Sequence, residues 1–128
     1  MIKAVLVDDE ILVLNLLKKI ISETNDIKIV GEFTDPEQAL MEIPKLGPDV
    51  LFLDVNMPEM NGIELGTRLI ESDATEDMAI VFVTAYERCA IYASKKVNAM
   101  HYILKPVDPD SVEEVVKKLN QKREIEPS

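Results

Sequence analysis

Short apolar segments alternate with stretches of helical periodicity along the chain. The segments 4–7, 50–53 and 80–83 are continuously apolar, which is typical of central strands covered on both faces. Residues 27–33 instead alternate apolar and polar positions, and this pattern predicts an edge strand. A further short strand is predicted at 102–104. Five alternations of strand and helix predict an α/β fold built on a parallel sheet.

Capping signals and apolar stripes mark the predicted helices. The sequence DPEQ at 35–38 combines a capping acid with a proline in the first turn, and Asp108-Pro109 repeats both elements, so a helix is expected to begin at each. Pro44 and Gly47-Pro48 are expected to end the second helix. Two stripes at helical spacing are expected to face the core: Ile11, Leu14, Leu17 and Ile21 near the beginning, and Val112, Val115, Val116 and Leu119 near the end.

Length, net charge and cysteine count limit the kinds of protein that this chain can be. A chain of 128 residues is expected to form one domain with its own core. Its 24 acidic residues against 14 Lys and Arg give a formal charge of −10, so direct nucleic-acid binding is not expected. No signal-like segment or membrane-spanning apolar stretch is evident, which predicts a cytoplasmic protein with no membrane contact. Cys89, the only cysteine, is expected to be a packing residue on a helix.

Polar residues stand where the predicted strands end. Asp8 and Asp9 follow the first strand, Asp54 the third, Thr84 the fourth and Lys105 the fifth. In open parallel sheets the ligand crevice lies outside the carboxyl ends of the strands, so these residues are expected to converge in one pocket. A carboxylate at the end of a buried strand is costly unless it has a function.

The expected pocket suits phosphoryl chemistry. Mutual repulsion raises the cost of ionising three carboxylates together, and a hard divalent cation, with Mg²⁺ the natural candidate, relieves that cost. With the metal, the ammonium of Lys105 and the hydroxyl of Thr84, the pocket favours a phosphoryl group, which Asp54 can attack as a nucleophile. Taken alone, Asp8 and Asp9 could equally cap the first helix.

Four motifs in this order resemble the receiver domain of bacterial two-component response regulators. They are Asp8-Asp9, Asp54 within LFLDVNMPEMNG, Thr84-Ala85 and Lys105-Pro106, and the match covers essentially the whole chain. The resemblance implies a doubly wound, flavodoxin-like α/β fold with a five-stranded parallel sheet in the order 2-1-3-4-5 and helices on both faces. It places the receiver domain at residues 1–120 and leaves 121–128 as a tail or the start of a linker.

The resemblance also implies a role for each acidic residue of the pocket. Asp54 would accept a phosphoryl group from a histidine kinase. Asp9 and Asp54 would bind Mg²⁺ directly, Asp8 would bind it through water, and the backbone carbonyl of Asn56 would be a further ligand.

The remaining motif residues are implied to sense the phosphoryl group. Lys105 and Thr84 would contact its oxygens, and Tyr102 would turn inward when Thr84 is drawn to it. The peptide bond between Lys105 and Pro106 matches one that is cis in the family.

The segment 82–119 resembles receivers attached to LytTR-type or SARP-like DNA-binding output domains. The implied function is a phosphorylation-activated switch that relays its state to a transcription-regulating output domain or a partner. Mixed charges on the predicted fourth helix, fifth strand and fifth helix favour homodimerisation through that face on phosphorylation.

Two other classes of protein share parts of this pattern. A phosphatase of the haloacid dehalogenase type uses a strand-end aspartate with Mg²⁺, but it needs a second acid two residues later, where this chain has Asn56. The chain is therefore expected to catalyse only its own phosphoryl transfer and dephosphorylation. A flavodoxin-like cofactor carrier needs an uncharged loop after the first strand, where Asp8-Asp9-Glu10 would repel the phosphate of the cofactor.

Overall fold

A computed structural model describes residues 1–125, with side chains as far as residue 122. Strands and helices alternate strictly along this part of the chain. In order, the elements are β1 (Ile2–Val7), α1 (Ile11–Ser22), β2 (Ile27–Phe33), α2 (Pro36–Leu46), β3 (Val50–Asp54), α3 (Gly62–Ile70), β4 (Ala79–Thr84), α4 (Glu87–Val97), β5 (His101–Leu104) and α5 (Pro109–Ile125).

The five strands form one parallel sheet in the order β2-β1-β3-β4-β5. This order confirms the doubly wound, flavodoxin-like topology and the edge position of β2. It also places β3 between β1 and β4, so the residue that ends β3 lies between the ends of two neighbouring strands.

Two hydrophobic clusters cover the faces of the sheet, and β3 shows how one strand serves both. Val50 and Phe52 point into a cluster with α1 and α5, whereas Leu51 and Leu53 point into a cluster with α2, α3 and α4. Residues 50–53 of β3 are therefore buried on one face or the other, which explains their uninterrupted apolar sequence. Each such side chain contributes about 1.5–3 kcal/mol through burial.

The predicted helix starts at Pro36 and Pro109 are confirmed. Asp35 Oδ1 accepts a hydrogen bond from Glu37 N at 3.0 Å, and Asp108 Oδ1 accepts one from Ser111 N at 2.8 Å. Both bonds satisfy amide groups that have no partner within the first turn of a helix.

The prediction that Pro44 ends the second helix is wrong. α2 continues through Pro44 to Leu46, and Gly47, with φ of 57°, ends it in the left-handed conformation. Pro44 removes one amide donor, but Ile43 beside it is fully buried and its carbonyl accepts a hydrogen bond from Gly47 N at 3.2 Å. Packing on the sheet thus carries the helix past the proline.

Ile11 is also misassigned by the apolar stripe, because its side chain is 57% exposed. The buried face of α1 consists of Leu14, Leu17, Ile20 and Ile21. At about 3.6 residues per turn, Ile11 lies roughly 110° from the centre of that face. It therefore points towards solvent at the start of the helix.

The end of the chain is described only in part. α5 continues beyond residue 120 as far as Ile125, so the expected domain boundary falls within a helix, and residues 126–128 of the expected tail lie outside the described residues. Cys89 lies half-buried on α4, as predicted. Within residues 1–125, no helix is both long and apolar enough to cross a bilayer.

Candidate functional site

The fold brings the strand-end carboxylates together at one edge of the sheet. Asp54 is the last residue of β3, and Asp8 and Asp9 directly follow the neighbouring β1. One carboxylate oxygen from each of Asp8, Asp9, Glu10 and Asp54 lies within 4.8 Å of the others. Asp54 and Asp8 are almost fully buried, at 3% and 1% exposure, whereas Asp9 and Glu10 are exposed. Glu10 was not among the residues predicted for the site.

Lys105 supplies positive charge to this cluster. Its Nζ lies 3.1 Å from Asp8 Oδ2, 3.1 Å from Glu10 Oε1 and 3.7 Å from Asp54 Oδ2. Partial burial disfavours the charged ammonium, but its interactions with the carboxylates outweigh burial and raise the pKa of Lys105. The side chain is therefore a fixed cation, and its peptide bond to Pro106 is cis, as the resemblance implies.

One lysine does not neutralise the cluster. Burial, and next the charge of Asp8, raise the pKa of Asp54 to about 7, although Lys105 and a 3.3 Å hydrogen bond from Asn56 N oppose the shift. Burial also raises the pKa of Asp8, against the opposing hydrogen bond from Glu10 N. Ionising both buried carboxylates together is therefore unfavourable, and a bound cation would relieve that cost.

The donor set fits Mg²⁺. All candidate ligands are oxygens, and the buried Asp8 Oδ2 has Lys105 Nζ 3.1 Å away without a well-aligned hydrogen bond, so a lone pair is left for a metal or its water. The structure thus brings together three of the four predicted metal residues, Asp8, Asp9 and Asp54. Ligation by the Asn56 carbonyl stays a prediction.

The capping interpretation does not describe Asp8 or Asp9. α1 begins at Ile11, and Glu10 occupies the N-cap position without a capping hydrogen bond from its side chain. Asp8 Oδ1 accepts a 2.9 Å hydrogen bond from Glu10 N, so it orders the turn between β1 and α1. The turn orients the Asp8 carboxylate so that its Oδ2 lies 3.1 Å from Lys105 Nζ.

A close backbone approach fixes the loop that follows Asp54. Gly62 N donates a 2.8 Å hydrogen bond to the carbonyl of Val55, and a Cβ atom at residue 62 would collide with the carbonyl oxygen of Asp54. Only glycine fits there. Met57 and Met60 are buried and anchor the same loop. Gly62 positions the candidate nucleophile, and the only sequence signal for it is a glycine at the start of the helix after the Asp54 loop.

Thr84 and Tyr102 lie on the next two strands. Thr84 ends β4 and is buried, and its Oγ1 accepts a long hydrogen bond of 3.4 Å from Tyr86 N. Tyr102, on β5, is half-buried, and its hydroxyl donates a 3.2 Å hydrogen bond to Glu87 Oε2. Glu87, the first residue of α4, is a further contact that the sequence pattern did not predict.

Comparisons with known proteins agree with this geometry. The family model for the response regulator receiver domain matches residues 4–117. The transcriptional regulatory protein BtsR of Escherichia coli is 40% identical over 96% of this chain and 50% of its own length. The sensory transduction protein LytT of Bacillus anthracis is 37% identical over 97% of this chain and 49% of its own length. The chain thus spans about half the length of these relatives.

A solved structure of a response regulator domain has the same fold. The response regulatory domain of the protein mrkE from Klebsiella pneumoniae superposes with a TM-score of 0.85 at 29% sequence identity. The match covers 98% of this chain and 100% of that domain.

Proposed function

This chain belongs to the family of response regulator receiver domains, and on that premise we propose that Asp54 accepts a phosphoryl group from a histidine kinase. One observation carries the proposal. The Asp54 carboxylate is buried at a strand end, 3.7 Å from Lys105 and beside three further carboxylates. That arrangement suits a nucleophile, a cation and a metal acting on one phosphoryl group.

The transfer needs positioning and neutralisation of charge more than it needs proton transfer. A carboxylate oxygen of Asp54 forms the new bond to phosphorus while the bond from phosphorus to the kinase histidine breaks, and the imidazole leaves with the bonding pair. Lys105 pairs with the phosphoryl oxygens, and the Thr84 hydroxyl donates a hydrogen bond to one of them. Asn56 N holds one oxygen of Asp54 and so orients the carboxylate.

Mg²⁺ fits this site, and its ligands would be Asp9 and Asp54 directly, Asp8 through water, and the backbone carbonyl of Asn56. When bound, it neutralises negative charge on the phosphoryl oxygens and the carboxylates. The cluster of carboxylate oxygens and the raised pKa of Asp54 support this assignment.

As a receiver domain, the chain is a signalling component rather than an enzyme with an external substrate. We propose that its own dephosphorylation is the only further reaction, because Asn56 stands where a phosphatase would have its general acid.

The kinase would dock on an apolar surface beside the site, which we call the α1 patch and define as Ile11, Leu12 and Leu16. Leu12 is 79% exposed, and together with Leu16 it lines a shallow apolar groove that reaches Lys105, Pro106 and Val107. A protein that delivers a phosphoryl group to Asp54 must approach this open edge of the sheet. The exposed leucines there offer it apolar area to bury.

The signal would leave through Thr84 and Tyr102 to an output domain beyond this segment. BtsR is named a transcriptional regulatory protein, LytT is named a sensory transduction protein, and the chain spans about half of each. We therefore propose a DNA-binding output domain, of the LytTR type rather than the SARP-like alternative, in a protein that acts in the cytoplasm. Residues 121–128 would lead into it.

Phosphorylation would also promote pairing of two copies through the face formed by α4, β5 and α5. Leu104 on the edge strand β5 is partly exposed, and Lys96 Nζ lies 5.4 Å from the Tyr92 ring centroid. Surface residues of both signs from α4 and α5 flank β5, which suits a self-complementary interface.

Intact-mass measurement after incubation with acetyl phosphate and Mg²⁺ tests the proposed function. A receiver gains one labile phosphoryl group. Continuous hydrolysis of the donor without an adduct would indicate a phosphatase, and a bound flavin would indicate a cofactor carrier.

A further inference from the structure

One side-chain hydrogen bond joins the start of α4 to β5. The hydroxyl of Tyr102 donates to Glu87 Oε2 at 3.2 Å, across 15 residues of sequence. The Tyr102 ring packs against the cluster formed with α2, α3 and α4, while Glu87 is exposed at the first position of its helix. The ring is therefore held by apolar packing on one side and by a charged acceptor at its hydroxyl.

The start of α4 is otherwise held weakly. Tyr86, at the N-cap position, makes no capping hydrogen bond with its side chain, and its amide reaches Thr84 Oγ1 only at 3.4 Å. The buried face of α4 consists of Ala90, Ala93 and Val97, which offer little apolar area. The contact between Glu87 and Tyr102 thus connects β5 to a helix end with few other attachments.

These contacts link Thr84 to Tyr102 through the first residues of α4. If the Thr84 hydroxyl moves towards a phosphoryl oxygen, the movement strains its already long 3.4 Å hydrogen bond from the amide of Tyr86, the residue directly before Glu87. Turning the Tyr102 ring inward takes its hydroxyl away from the position in which it bonds Glu87. Partial burial and the Glu87 carboxylate raise the pKa of Tyr102, so its phenol keeps the donated proton.

We propose that Glu87 is a positioning residue that holds Tyr102 in the resting position seen here and so sets how readily the domain switches. The proposal rests on the proposed function of Thr84 and Tyr102 as the switch. A ligand shifts a two-state equilibrium only by its differential affinity for the states, so a bond made in the resting state alone opposes activation. Removing that bond is expected to favour the active state about two- to tenfold.

The experiment follows the Tyr102 ring by NMR in the whole 128-residue chain labelled at tyrosine. Tyr102→Phe identifies the resonance, and beryllofluoride with Mg²⁺ defines its position in the active state. Four proteins are compared: the parent, Glu87→Ala, Glu87→Gln, whose amide oxygen still accepts from the phenol, and Glu37→Ala. The last removes the first-turn acid of α2, which the structure pairs with no tyrosine.

Glu87→Ala without phosphoryl mimic is expected to move the Tyr102 resonance towards the beryllofluoride position. Its titration midpoint with beryllofluoride is expected to fall about two- to tenfold. Glu87→Gln and Glu37→Ala are expected to stay close to the parent. A Glu87→Ala protein with the parent's resonance and midpoint, or a Glu87→Gln protein that moves as far as Glu87→Ala, would overturn the proposal.

The same experiment distinguishes an error in the role of Tyr102 from an error in the role of Glu87. If beryllofluoride leaves the Tyr102 resonance of the parent unchanged, the assignment of Tyr102 as a switch is wrong and Glu87 has no switch to control. If the parent responds and Glu87→Ala does not differ from it, the switch stands and only the role of Glu87 is lost.

Discussion

Gly62 lies directly against the backbone carbonyl of Asp54, so closely that no side chain fits between them. The contact fixes the loop on which Asp54 and Asn56 are presented, because Gly62 N also bonds the carbonyl of Val55. Gly66, one turn later in α3, has more room, because a Cβ atom added there would lie 3.4 Å from its nearest neighbour, Ile80 Cδ1.

We expect Gly62→Ala to lower the free energy of unfolding by about 2 kcal/mol or more, because the backbone around Asp54 must shift. Gly66→Ala is the matched control. It is expected to be neutral or to stabilise by up to about 1 kcal/mol, because alanine is the better helix former. Urea unfolding of both variants checks this. If both variants changed the free energy of unfolding equally, the close contact between residue 62 and the Asp54 carbonyl would not constrain the backbone.

The raised pKa of Asp54 predicts how stability depends on pH in metal-free buffer. Its value of about 7 exceeds the ordinary 3.8, so between these pH values the folded domain binds more protons than the unfolded chain. The free energy of unfolding contributed by Asp54 therefore falls as pH rises through that window. Asp54→Asn is expected to be more stable than the parent at pH ~8, by on the order of 1–4 kcal/mol, and to lose this advantage near pH ~4.

Thermal unfolding across that pH range, in the presence of a chelator, measures the difference. Asp77→Asn, at an exposed position in the loop before β4, serves as the control and should follow the parent at every pH. A stabilisation by Asp54→Asn that does not change with pH would contradict the assigned titration.

The α1 patch predicts a variant that separates kinase docking from chemistry. Leu12→Ser is expected to slow phosphoryl transfer from the cognate kinase about tenfold or more, because burying a leucine contributes about 1.5–3 kcal/mol. The rate with acetyl phosphate should not change, since the small donor needs no docking surface. Met41→Ser removes a similarly exposed apolar side chain from α2 and should leave both rates intact. Equal loss with both donors would place the defect in the site itself.

Charge reversal at Lys96 tests the dimer face. In the beryllofluoride state, Lys96→Glu is expected to weaken self-association about tenfold, because a two-fold interface carries the change twice. Lys19→Glu, an exposed charge reversal on α1, is the control. Sedimentation equilibrium at matched concentrations measures the self-association of the parent and of both variants. A fully modified parent that stays monomeric, or dimers indifferent to Lys96→Glu, would count against this face.

The sheet and the convergence of the site were predictable because local pattern determines both. β3 sends alternate side chains into two clusters, so burial on both faces is visible as an unbroken apolar run. The residues that end neighbouring parallel strands then meet without further information. The course of α2 through Pro44 was not predictable in this way, because the packing of Ile43 on the sheet overrides a local signal.

The contacts of Glu10, Gly62 and Glu87 were missed for a different reason. Glu10 meets Lys105 across 95 residues, Glu87 meets Tyr102 across 15, and Gly62 meets a carbonyl group that any sequence would carry. None of these contacts has a periodic or capping signature. They depend on loop geometry that exists only after the sheet has formed.

Identification of the modified residue tests directly whether Asp54 is the phosphoacceptor. The domain is incubated with acetyl phosphate and Mg²⁺, and the acyl phosphate is reduced with borohydride, which converts the modified aspartate to homoserine for peptide mass analysis. One homoserine is expected, at residue 54, in the parent and in Asp77→Asn, and none in Asp54→Asn or after chelation of the metal. A homoserine at any other aspartate, or an adduct on Asp54→Asn as abundant as on the parent, would contradict it.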